Sequence, residues 1–322
     1  MKYNRLRITD TRERGIRTAF LLLFSLLLCS LLPLAGASAE ELQSRSAVVM
    51  DADTGNVLFA KNPDLRLLPA STTKLMTALV VIERTALSDV VTISKNASLA
   101  APTKIGLRPG ERITVEALLY SALMKSANDA AVALAEAVAG SEEQFINLMN
   151  MKAAALGLQD TRFINSNGLP GTGQYITAYD LAKLLREAIR YPLLREILGT
   201  RLAEITTGDG KTVFVKNTNR LLWADEEFLG GKTGYTREAR HCFVGAGERD
   251  GRTMIVALLG TPVRDFLWKE TAFLMDFGTR VLHNLEEPVV YLTQYDYDTA
   301  KIKKASYKKK NRPKKRAKKR HY

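Results

Sequence analysis

The spacing of apolar positions changes twice along the chain, and the elements it predicts change with it. Residues 46–50 and 56–60 are short apolar runs on either side of Asp51-Ala-Asp-Thr-Gly55, a turn-rich connection that predicts a hairpin. After Pro69-Ala70-Ser71, residues 72–84 are apolar on several sides through Leu75, Met76, Leu79, Val80 and Ile82. That predicts a largely buried helix entered at Ser71. Residues 89–94 read as a small strand and 106–110 as a loop. From Thr114 onward the helix signals thicken. Thr114 is placed to cap 115–124, and Asn128 or Asp129 opens an alanine-rich segment to 139. Ser141-Glu-Glu-Gln144 and Thr177-Ala-Tyr-Asp180 are capping patterns before helices over 142–155 and 181–190, with Pro192 ending or restarting the second. Between them, residues 165–173 form a glycine-rich segment that reads as an ordered loop or a lid.

The last third changes period. Residues 201–207 and 212–216 flank Gly208-Asp-Gly210 and predict a hairpin, while 231–236, 242–247 and 253–260 read as three more strands. Residues 266–282 return to helix with one apolar face, and 288–292 can add one short strand. Strands at both ends and helices in the middle predict an α+β fold: an antiparallel sheet with packed helices and an inserted helical region. A cleft is expected where these parts meet.

The first forty residues stand apart. Lys2, Arg5, Arg7, Arg12, Arg14 and Arg17 precede an apolar run over 19–35, and Ala37-Ser38-Ala39 supplies small residues at a cleavage site. Residues 1–39 are read as an export signal and 40–290 as one catalytic domain. Residues 291–322 are a linker and a basic, disordered tail. Cys29 follows Leu28, which does not suit lipid modification, so Cys242 is the one cysteine left after cleavage. Export places the protein in the periplasm or on the extracytoplasmic face of a bacterial inner membrane or cell wall. The net charge of +13 changes meaning once located. Residues 301–322 hold 13 Lys or Arg and no acid, so residues 1–300 carry 34 basic and 34 acidic groups. The tail is a polycation for anionic lipid or envelope polymers, and no nucleic-acid partner is expected.

Ser71-Thr-Thr-Lys74 places a hydroxyl and an amine three residues apart, on one face of a helix. A serine hydroxyl needs a neighbouring base, and a desolvated lysine beside other cations has the lowered pKa for that work. Alone the pattern is weak, since Ser306 and Lys309 repeat it in the tail. Ser126-Ala-Asn128 and Lys232-Thr-Gly234 follow in order, 55 and 161 residues after Ser71. With this triplet the chain resembles the penicillin-binding proteins and class A β-lactamases, whose signatures are S-x-x-K, S-x-N and K-T-G. Within them it is most similar to the low-molecular-mass serine D-alanyl-D-alanine carboxypeptidases (peptidase family S11 type). The resemblance runs over about residues 44–285 through LLPASTTKLMTAL, LRPGERITVEALLYSALMKSANDAA, FINSNGLP and GGKTGYTREARHCF.

The resemblance implies a serine-type hydrolase that removes the terminal D-alanine from peptidoglycan stem peptides through an acyl-enzyme. Ser71 would be the nucleophile and Lys74 its general base. Ser126 would bridge protons between Lys74 and the leaving amine, and Asn128 would hold the lysine and the substrate amide. Lys232 and Thr233 would receive the terminal carboxylate, and Gly234 would let substrate lie against the strand. Tyr235 and Ser71 would supply oxyanion N–H groups. β-Lactams would be covalent inhibitors. No cofactor and no metal are implied, since His241, His283 and His321 have no metal-ligand spacing.

Many members append a β-rich domain and an amphipathic C-terminal helix, for which this chain leaves no room after residue 282. That slightly favours the alternative, a shorter endopeptidase cutting D-alanyl cross-links to diaminopimelate; a β-lactamase is set aside for want of a clear acidic loop supplying a deacylation base, and an inactive wall-binding protein because Ser71, Lys74, Ser126, Asn128 and Lys232 are all present. The remaining readings are bland. Ser94-Lys-Asn96 is a surface S-x-N, and Ser126 and Asn128 are common capping types. His241 is structural, Cys242 is a core residue, and Tyr175, Tyr179 and Tyr235 line or rim the cleft. Arg237 and Arg240 aid carboxylate recognition or face solvent.

Overall fold

The structure, a computed structural model, describes residues 42–207 and 210–293. The leader, the tail with Ser306 and Lys309, and Gly208 and Asp209 of the expected hairpin turn lie outside the described residues. Among the described residues there are ten strands: β1 (Ser46–Asp51), β2 (Val57–Lys61), β3 (Val90–Thr92), β4 (Arg112–Thr114), β5 (Leu202–Thr206), β6 (Thr212–Lys216), β7 (Phe228–Thr236), β8 (Arg240–Arg249), β9 (Arg252–Thr261) and β10 (Val289–Tyr291). The α-helices are α1 (Lys74–Ile82), α2 (Lys95–Ser98), α3 (Val115–Met124), α4 (Asn128–Ala139), α5 (Glu142–Ala155), α6 (Ala178–Ala188), α7 (Pro192–Gly199), α8 (Leu221–Ala224) and α9 (Arg264–Leu282).

Six strands form one sheet in the order β10-β2-β1-β9-β8-β7. β1 pairs with β2 and β9, β8 with β9, and β7 with β8, all antiparallel, as expected. β10 departs from that pattern by pairing parallel to β2, with Val289 opposite Phe59. The cause is the helix-length crossover through α9, which returns the chain in the direction it left β9. The small pairs β3–β4 and β5–β6 are separate two-stranded sheets.

Every residue of β1 is buried because both faces of the sheet are covered, and this is why the strand sequences are continuous rather than alternating. Val48 and Met50 join the large cluster built with the inserted helices, whereas Val49 and Met254 face Gly278 of α9. α1 is buried from Lys74 to Val81 and runs through the centre of that cluster. Around it the caps form as expected. The hydroxyls of Thr114, Ser141 and Thr177 accept from the N–H groups of Ala117, Gln144 and Asp180, and Pro192 starts α7.

Candidate active site

Ser71 does not stand on the α-helix. It lies in a 3-10 turn, Ala70–Thr73, that precedes α1. Side chains three residues apart eclipse in a 3-10 turn, so the S-x-x-K spacing superposes Ser71 and Lys74 more closely than an α-helix would. Lys74 Nζ is 3.0 Å from Ser71 Oγ. The turn begins at Ala70 in the left-handed region (φ 49°), a conformation that costs an L-residue about 1–2 kcal/mol. Two distant backbones hold it there. A Cβ on Gly168 would lie 1.8 Å from the Ala70 carbonyl oxygen, and one on Gly234 would lie 2.9 Å from the Ser71 nitrogen. The glycine of Lys232-Thr-Gly234 therefore makes room for the nucleophile's own turn, and it also lines the cleft. Tyr235, the next residue of β7, lines the same cleft as Ser71.

Lys74 has no solvent exposure. Its Nζ donates to Asn128 Oδ1 at 2.7 Å and to the Asn167 carbonyl at 2.6 Å, and meets Ser71 Oγ as the third partner. Burial holds the Lys74 pKa well below the ordinary lysine range. The charge of Lys232 pushes it the same way, and Asp129 opposes both. Asn128 opens α4, whose N-cap is Ala127 with no side-chain cap, so neither Ser126 nor Asn128 is a cap. The Asn128 amide nitrogen donates to the carbonyls of Ala101 and Pro102, which fixes the amide oxygen toward Lys74. Both amide hydrogens are used there. Asn128 thus holds the lysine.

Ser126 sits between α3 and α4 with left-handed backbone (φ 64°), and its hydroxyl accepts from Lys232 Nζ at 2.9 Å. Lys232 is fully buried, donates also to the Thr233 carbonyl, and has its pKa brought down to about 7 by burial. Its ammonium stands behind Ser126. Ser71, Ser126, Thr233, Gly234, Tyr235 and His241 line an open cleft of about 530 Å³, whereas Lys74, Asn128 and Lys232 lie beneath its surface. All seven residues singled out by the three motifs, and Tyr235 next to the third, are thereby gathered at one place.

Residues that the motifs did not mark complete the site. The Asn167 carbonyl belongs to the 165–173 loop, which is ordered. Asn165 braces its first half by accepting from Gly168 N and donating to the Leu169 carbonyl, and Thr77 donates to the Ser166 carbonyl. A backbone acceptor has no side-chain signature, and only the FINSNGLP string marked this loop. Thr218 shares a hydroxyl–hydroxyl hydrogen bond of 2.7 Å with Thr233, and Arg264 of α9 donates to the Thr218 carbonyl. Arg264 lines the cleft. Arg237 and Arg240 are exposed and do not, so their solvent-facing reading holds.

His241 lies on the cleft wall with its ring 4.4 Å from that of Tyr235. Its pKa is lowered by burial and then by Arg264. Tyr175 and Tyr179 pack instead with Arg66 and Lys183. Cys242 is buried, with its thiol pushed up to about 12, and Ser94 caps α2.

A family model described as D-alanyl-D-alanine carboxypeptidase (peptidase S11) matches residues 34–263. The chain is 35% identical over 271 residues to the D-alanyl-D-alanine carboxypeptidase DacF of Bacillus subtilis (strain 168), covering 83% of this chain and 69% of that protein. It is 38% identical over 213 residues to a D-alanyl-D-alanine endopeptidase of Pseudomonas aeruginosa, covering 64% and 67%. Among solved structures it is similar to the D-alanyl-D-alanine carboxypeptidase from Mycobacterium tuberculosis H37Rv, with 33% identity and a TM-score of 0.70 over 73% of this chain and 90% of that one. The Streptomyces K15 DD-transpeptidase gives 31% identity and a TM-score of 0.70 over 74% and 97%. The α+β architecture is the one these structures share.

Proposed function

The chain belongs to the D-alanyl-D-alanine carboxypeptidase family, and we propose that it is a serine hydrolase releasing the terminal D-alanine of peptidoglycan stem peptides through an acyl-enzyme on Ser71. The partners of Lys74 carry this reading. A neutral amine has two N–H groups and one lone pair. Asn128 Oδ1 and the Asn167 carbonyl take the two hydrogens, which leaves the lone pair for the Ser71 hydroxyl. Burial and the neighbouring Lys232 favour that neutral form.

As Ser71 Oγ bonds to the carbonyl carbon of the penultimate D-alanine, its proton passes to Lys74. The N–H groups of Ser71 and Tyr235 stabilise the oxygen as it becomes negative. Breaking the C–N bond then requires a proton on the departing amine. Ser126 gives its hydroxyl proton to that nitrogen and takes in its place the proton that Lys74 received from Ser71, which returns the lysine to its neutral form, with the Lys232 ammonium polarising the hydroxyl from behind. The terminal carboxylate is received by the paired hydroxyls of Thr218 and Thr233 and by Arg264, with the charge of Lys232 acting through Ser126. Water repeats the attack to release the shortened peptide. A β-lactam offers a strained amide and a carboxylate in the same relation, which makes it a covalent inhibitor.

Intact-protein mass spectrometry after benzylpenicillin tests the nucleophile. One adduct is expected on the wild-type chain and none on Ser71→Ala, and an adduct kept by the alanine variant rejects the assignment.

The basic leader with its apolar run, and the polycationic tail, support an extracytoplasmic location and adhesion to anionic membrane or envelope polymers. Truncation after Ala300 is expected to reduce salt-sensitive sedimentation with anionic vesicles while leaving peptide hydrolysis unchanged. Undiminished sedimentation rejects the adhesive role.

A further inference from the structure

We propose that Asp129, a buried carboxylate that takes no part in the proton transfers, is a positioning residue for the general base: it clamps residues 101–107 against α4, and that segment in turn fixes the Asn128 amide on Lys74. The role rests on the acyl-enzyme reading of Ser71. Asp129 stands in the first turn of α4 with no solvent exposure. Among the described residues, no cation lies within ion-pair distance of it. Backbone satisfies it instead. Oδ2 accepts from Gly106 N at 2.9 Å and Leu107 N at 3.1 Å, and Oδ1 accepts from Ile105 N at 3.2 Å and Ala130 N at 3.0 Å. Left-handed backbone at Gly106 (φ 84°) lets three successive N–H groups converge on this one carboxylate.

The other half of the segment faces Asn128. The carbonyls of Ala101 and Pro102 take its two amide hydrogens at 2.9 and 3.0 Å, and the Thr103 carbonyl takes its backbone N–H at 2.7 Å. Neighbouring residues of one helix therefore grip one segment with opposite polarity. Asn128 donates to the carbonyls of 101–103, and Asp129 accepts from the N–H groups of 105–107. Loosening the second grip frees the acceptors of the first. An Asn128 amide without those acceptors can turn over, and it then offers N–H rather than oxygen to Lys74 Nζ. The lysine lone pair would accept that hydrogen in place of the one on Ser71, so the clamp keeps the base on its serine.

The sign of the electrostatics separates position from charge. Asp129 opposes the lowering of the Lys74 pKa, so removing its charge favours the neutral lysine and by itself leaves Ser71 its base. Slower acylation after Asp129 is neutralised thus reports geometry.

The test times the acylation of the full chain by benzylpenicillin, read by intact-protein mass spectrometry. Asp129→Asn is expected to acylate about 30-fold more slowly than wild type. In a chain already carrying Asn128→Ala, the same replacement should cost no more than about threefold, because both residues act through one contact. Gly106→Val loosens the clamp from the surface: residue 106 is exposed, nothing lies within 4 Å of an added Cβ, and a branched residue resists that φ. It should slow acylation too, again only while Asn128 is present. Gly110→Val, at an equally open position with φ 82° outside the clamp, should acylate as wild type. Normal acylation by Asp129→Asn and Gly106→Val, a full effect of either in the Asn128→Ala chain, or an equal loss in Gly110→Val overturns the positioning role while the hydrolase reading stands. Should Asp129→Asn fail to fold, the Gly106→Val and Gly110→Val comparison decides. If penicillin leaves wild-type Ser71 unmodified, the hydrolase reading fails and takes this role with it.

Discussion

Ser126 Oγ and Lys232 Nζ are 2.9 Å apart, across a contact that depends on left-handed backbone at Ser126. A buried cation is thereby coupled to the cleft through one hydroxyl. Whatever changes the charge of Lys232 reaches the departing amine and the substrate carboxylate at the same atom.

The pH dependence of catalysis follows from that coupling. Burial brings Lys232 to about 7, so its ammonium is lost as pH rises through neutrality. For free-carboxylate peptides, kcat/KM of the free enzyme is expected to decline above pH 7. Lys232→Arg, which stays protonated, should flatten the decline even if it lowers the plateau. Initial rates between pH 5 and 9 settle this, and a wild-type rate that climbs throughout would contradict it.

Lys74 must stay neutral to accept the Ser71 proton, and its 2.7 Å contact with Asn128 supplies a direct perturbation. Asn128→Asp sets a carboxylate at that distance, which favours the protonated lysine and raises its pKa. The acidic limb of the acylation rate should move to higher pH, with acylation at neutral pH falling about 100-fold. Lys74→Ala should lose as much or more at every pH. Stopped-flow acylation by a chromogenic β-lactam separates the two behaviours.

Gly234→Ala puts a methyl 2.9 Å from Ser71 N, 3.0 Å from Ala70 Cβ and 3.1 Å from the Pro69 carbonyl. The nucleophile's turn has to shift. Overpacking of this kind costs about 1–3 kcal/mol of stability, whereas a misplacement near 1 Å costs catalysis about 100-fold. The variant is expected to fold, by circular dichroism and thermal melting, yet to acylate far more slowly. A normal acylation rate would show that Gly234 and Ser71 are not in tight contact.

Stability carries its own signature of the buried lysine. Lys232 titrates near 7 in the folded chain and near 10.5 unfolded, so between those values the unfolded chain binds the extra proton. Stability then rises with pH across that window, by at most about 1.4 kcal/mol per pH unit for one group. Lys74 contributes in the same direction. Urea midpoints at pH 7 and 9 should therefore increase in the wild type and increase less in Lys232→Met. Equal slopes would mean that Lys232 is not desolvated.

Residue types marked the chemistry, and local capping marked the helices that carry it. Thr114, Ser141 and Thr177 cap as their sequences require, because a hydroxyl three residues before an N–H needs no tertiary partner. The misread features all depend on distant backbone. The turn at Ser71 is 3-10 because Gly168 and Gly234 press on Ala70, contacts no local window contains. Asn128 spends its amide hydrogens on the carbonyls of Ala101 and Pro102, and one of the three partners of Lys74 is a carbonyl that any residue at position 167 would present. Arg264 carries no motif and enters the cleft because α9 starts immediately after β9.

The glycine contacts on the nucleophile's turn also bear on how the chain acquires reactivity while folding. Ala70 leaves the ordinary backbone region only when two backbones from far along the sequence close on it. Such non-local contacts form late, after local helices such as α1 are available. Helicity and acylation are then separate clocks during refolding. A fluorescent penicillin added at successive times reads the second, reporting when the chain has become reactive rather than when it has become helical.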